Sequence, residues 1–170
     1  ELAHAHATTW PATDQFFFRK LKLYAFSKAD AFEADHVAKE VLSLDQEIFW
    51  DVDVARELLF LLVDRWREFS QASRDQLTDR ILAGPDQLSH CSDEEFPTLR
   101  DEFAARYARY LELQGCELMA DRRERLAEMI RGIPEWSDGW VTSTVIERGS
   151  HGGLVGTDEK PDALMNLPVH

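Results

Sequence analysis

Residues 149–161, GSHGGLVGTDEKP, have the composition best suited to cradling a phosphate. Successive glycines allow consecutive amides to point at one anion, but a phosphate loop also needs a following helix N-terminus or a lysine placed to meet it. Neither GxxxxGK[ST] nor GxGxxG occurs, and Asp158 and Glu159 bring negative charge to the stretch. It reads as an ordered connector. His36, His90, Cys91, Cys116 and His151 are candidate zinc ligands by type but lack the close paired spacing of a zinc site. His4 and His6 share a face only in an extended segment, so AHAHA reads as a linker. No GxSxG elbow is present, so no nucleophile is marked for acyl transfer. Asp93-Glu94-Glu95 reads as a solvated acidic loop, and Cys91 and Cys116 as free thiols of a reducing compartment. Arg65, Arg74, Arg80 and Asp79 are expected to form an ion-pair network between two central helices. Residue types and spacing therefore predict no catalytic residue, no cofactor and no metal.

The elements that must position these groups are helical. Asp51–Pro85 reads as two amphipathic helices. Ala55, Leu58, Leu59, Leu62, Trp66 and Phe69 recur at three- and four-residue steps, and Phe60, Leu61 and Val63 widen that face. Asp51 and Asp53 suit a helix N-terminus, and Arg65 and Arg67 suit a C-terminus. The second helix is expected to open with Ser73–Gln76 as a capping box, turn Leu77, Ile81 and Leu82 inward, and stop at Gly84-Pro85. Trp50 and Trp66 are the expected aromatic anchors.

Before this hairpin, a helix beginning at Pro11 or Thr13 runs through DQFFFRKLKLYAFSK. Phe17, Leu21 and Tyr24 form one stripe, and Phe16, Leu23 and Phe26 a second. One side is expected to meet the helix Asp35–Leu44 through Val37 and Val41, and the other to meet polypeptide beyond this chain. After it, Pro97 suits the first turn of a helix with Leu99, Phe103, Tyr107, Tyr110 and Leu111 inward, closed by Gly115. Leu118–Arg131 follows, with Leu126 and Ile130 inward. From Ser137 the pattern changes: Trp140–Ile146 reads as extended, and Trp136 and Trp140 are expected to pin a tail across the helices.

Self-comparison aligns RDQLTDRILAGP from Arg74 with RERLAEMIRGIP from Arg123 at an offset of 49 residues. Leu21, Phe26, Val37 and Val41 fall on Leu61, Trp66, Leu77 and Ile81 at an offset of 40. Both offsets are close to the length of HEAT and armadillo units. The expected fold is therefore all-α: three antiparallel hairpins stacked as a HEAT-like solenoid over residues 13–136, between an irregular segment 1–12 and a mostly irregular tail 137–170.

The chain carries a net charge of −13. Such a surface repels phosphate backbones and anionic lipid, which argues against nucleic acid and membrane as partners. No apolar run approaches the ~20 residues of a spanning helix. The opening ELAHAHATTWP has neither Met nor a signal-peptide layout, so the chain reads as a piece of a longer, cytoplasmic polypeptide.

The runs FFFRKLKLYAFSK and IFWDVDVARELLFLLVDRWREFSQASRDQLTDRILAGP, with the tail GGLVGTDEKPDALMNLP, are similar to a helical region near the C-terminus of large bacterial proteins. Those proteins carry a sirtuin-like NAD-binding domain at the other end and are associated with anti-phage defence. The resemblance spans residues 16–168. It implies that any NAD-consuming or signalling activity lies elsewhere in the polypeptide, and no catalytic position transfers to this chain. The reading is a non-catalytic scaffold or sensing module that contacts other proteins or domains, with Arg74, Arg80, Arg122 and Arg123 on the expected docking surface. The alternatives are a ligand-binding or enzymatic domain, with a pocket between the tail and the central hairpin, and an acidic immunity-type binder of a basic protein.

Overall fold

The computed structural model describes residues 17–87 and 91–145. Among these residues the fold is all-helical, without strands. In chain order the helices are α1 (Phe17–Phe26), α2 (Ala34–Leu42), α3 (Gln46–Phe49), α4 (Ala55–Arg65), α5 (Gln71–Ala83), α6 (Phe96–Leu113), α7 (Ala120–Gly132) and α8 (Asp138–Ser143). The expected segments 1–12 and 149–161, the helix start at Pro11 or Thr13, and His90 and His151 lie outside the described residues.

Local chemistry sets most of the boundaries. α5 opens at Ser70, whose hydroxyl accepts the Ser73 amide at 3.2 Å. This corrects the expected Ser73–Gln76 box. A serine at either position suits a cap, but the chain reaches helical geometry three residues earlier, so Ser73 supplies the capped amide and its hydroxyl donates to Asp35. α5 ends where Gly84 takes φ 74°. A side chain there is excluded twice over, by that angle and by the Arg100 Cγ, 2.4 Å from where a Cβ would sit. α6 carries Pro97 in its first turn. It ends in a left-handed Gly115, φ 80°, with the Cys116 amide donating to the Leu111 carbonyl and the Gly115 amide to that of Glu112. This is a Schellman closure, and it presses Cys116 inward beside Leu111, both buried.

Side by side, α1, α4 and α6 form one row and α2, α5 and α7 a second, with α5 and α6 also packed together and α8 laid on α6. α5 and α7 are each 13 residues long and begin 49 residues apart, and Val37, Val41, Leu77 and Ile81 are all buried. One apolar cluster runs through both rows, from Leu23 and Phe26 through Leu58, Leu62 and Trp66 to Leu111, Leu126 and Val141. Each fully buried Leu or Ile in it contributes roughly 1.5–3 kcal/mol.

At three junctions within the rows, α1–α4, α2–α5 and α5–α7, a guanidinium from the later helix meets C-terminal carbonyls of its predecessor. Arg65, ending α4, donates to the carbonyl of Phe26, the last residue of α1, at 2.8 Å, and also to that of Phe32 at 2.8 Å. Arg80 of α5 donates to the carbonyls of Val41, Leu42 and Leu44 at the end of α2. Arg125 of α7 donates to the Leu82 carbonyl near the end of α5 at 2.9 Å. Leu42 and Leu82 are equivalent positions at the 40-residue offset. The last carbonyls of a helix have no partner within it and carry its negative pole, so a cation donor there satisfies both. The other ends of α2 and α5 meet too: Asp35 accepts from the Ser70 amide and the Ser73 hydroxyl. Those two donors, Ser73 first, hold its carboxyl below the ordinary range. Fastened at both ends, α2 and α5 run parallel.

Two further expectations are corrected. Residues 138–143, within the stretch read as a mostly irregular tail and in part as extended, are helical, capped by the Ser137 hydroxyl on the Gly139 amide. The β-branched Val141, Thr142 and Thr144 favour a strand, but an N-cap, an Asp138–Arg109 pair at 3.0 Å and the burial of Val141 override that preference. Nor do Arg65, Arg74, Arg80 and Asp79 form a network: Arg65 and Arg80 are taken by carbonyls, and Asp79 pairs with Arg122 at 2.7 Å.

Candidate functional site

The seven residues singled out in the sequence fall into two groups. Trp50 and Trp66 belong to the core, 8% and 2% exposed. Trp50 stacks at a tilt on Tyr107, centroids 4.7 Å apart, and the Trp66 indole donates to the Glu117 carbonyl. Trp140 is half-buried, edge-on to Trp136 and under the Arg106 guanidinium. These three position helices. Among the arginines, Arg80 is committed to the end of α2 and lies over the Phe49 ring at 4.2 Å. Arg122 is committed to Asp79, Asp75 and Asp121. Arg123 is exposed, and Arg74 is half-buried with its Nε lacking a hydrogen-bond partner. The expected basic docking surface is thus reduced to Arg74 and Arg123, because α7 brings Arg122 against the acids of α5.

A groove lined by several charged side chains lies where α4, α6 and α8 converge beside α1. It has a volume of about 210 Å³, and Lys20, Asp53, Arg56, Glu57, Arg106 and Tyr107 line it, with Ser143 and Thr144 at one edge. Its origin is local. The turn before α4, closed by the Asp51 carboxylate on the Asp53 amide at 2.9 Å, places Asp53 and Glu57 at the rim. Arg106 enters from α6, held by Glu102 one turn away. Glu57 Oε2 and Arg106 Nε are buried there without hydrogen-bond partners. Burial, with the nearby Asp51 charge second, pushes the Tyr107 hydroxyl well above its ordinary pKa, so it stays protonated.

Among the described residues this arrangement lacks an activated nucleophile. The Ser143 and Thr144 hydroxyls donate to the Trp140 carbonyl, at 2.7 and 3.1 Å, not to a base. His36 lies away from the groove, stacked on Phe32. No group of three or more His, Cys, Asp or Glu that could hold a metal occurs among the described residues, and no helix there is long and apolar enough to cross a membrane. The groove lies between the central hairpin and the start of the tail, where the alternative reading puts a pocket, but its members come from four helices and share no spacing that names them.

The two cysteines are free. Burial pushes the Cys116 thiol up to about 11, with Arg67 opposing weakly. The thiolate is the reactive form. At pH 8 Ellman's reagent is therefore expected to modify Cys91 in the native chain and Cys116 only after unfolding. Equal native rates for the two would contradict the burial of Cys116.

Compared with known proteins, the chain matches no family model, no curated protein and no solved structure.

Proposed function

We propose that the chain is a non-catalytic helical-repeat scaffold: three hairpins, α1–α2, α4–α5 and α6–α7, stacked in HEAT-like fashion and docking other proteins or other domains of a longer polypeptide. The observation that carries this reading is the pair of rows, with guanidinium-to-carbonyl contacts at the α1–α4, α2–α5 and α5–α7 junctions. Stacked repeats of this kind meet chiefly their neighbours and present extended outer faces suited to protein contacts. The same role is proposed for a helical region of a sirtuin-like bacterial defence protein in the cytoplasm, with NAD chemistry assigned to another part of the polypeptide.

One observation favours a second reading. Glu57 Oε2 and Arg106 Nε are buried and unpaired in a groove beside α8. A small ligand carrying both a donor and an acceptor would satisfy them, and such buried groups are costly when left unpaired. Incubating the purified chain with NAD⁺ and following nicotinamide release separates the two. The scaffold reading expects no turnover above buffer. Turnover abolished by Glu57→Gln or Arg106→Ala would make the groove an active site and end that reading.

A further inference from the structure

We draw no further inference here: the strongest candidate, the exposed aromatic stripe of Phe17 and Tyr24 on α1, is an apolar face for which nothing in the structure shows what covers it.

Discussion

Arg65→Ala is expected to cost about 3–5 kcal/mol of unfolding free energy, measured by urea denaturation with the two-state slope held in common. Arg65 is 1% exposed and is the largest fully buried side chain of the fold. Its Nε pairs with Glu68 at 2.9 Å, and its two terminal nitrogens serve the Phe26 and Phe32 carbonyls. Removal strips buried acceptors of a charged donor and leaves the volume of a guanidinium empty in the centre of the first row. Both effects act in the same direction. Arg65→Lys should recover only part of the loss, because an ammonium on a flexible stem cannot serve two carbonyls and a carboxylate in one planar fork. A cost below about 1 kcal/mol for the alanine variant would mean that α1 is not fastened to α4 in this way.

Trp66→Ala should rank next, at about 3–5 kcal/mol. The indole is 2% exposed, sits edge-on to Phe69 with centroids 6.5 Å apart, and donates to the Glu117 carbonyl at 3.3 Å, tying α4 to the turn between α6 and α7. Trp66→Phe keeps most of the ring area and loses only that hydrogen bond, so its cost should fall to roughly 1–2 kcal/mol. Equal losses in the two variants would show that the bond to Glu117, and not the packed ring, is what matters at this position.

The sequence makes the helices legible but leaves their fastenings hidden. Apolar spacing places Leu58, Leu62, Leu77 and Ile81 inward, and Gly84 and Gly115 mark true ends, because these features depend only on local periodicity and backbone angles. The partners of Arg65 and Arg80 are main-chain carbonyls, which carry no sequence signature. Types alone suggested carboxylates for these guanidiniums, and the expected Arg65–Asp79 network followed from that. Ser70 was passed over because Ser73 has a better capping-box spacing, although Asp35, 38 residues away, draws the Ser73 hydroxyl to itself. The helix at 138–143 likewise depends on Arg109, distant in sequence from Asp138. The groove at Glu57 and Arg106 belongs to the same class, assembled entirely by tertiary packing. Periodicity marks Phe17 and Tyr24 as one stripe of α1 and Leu23 and Phe26 as another, but it does not say which of the two stays exposed.

The central claim is that equivalent helices are joined chiefly to their neighbours in a stack, and native-state hydrogen exchange of the wild type and Arg80→Met tests it most directly. The substitution keeps the length of the side chain and deletes the donors to Val41, Leu42 and Leu44. The stack predicts protection lost by ~10-fold or more in α2 and α3, a smaller loss in α5, and α7 and α8 unchanged. An equal fall in protection across every helix, or none in α2, would contradict it.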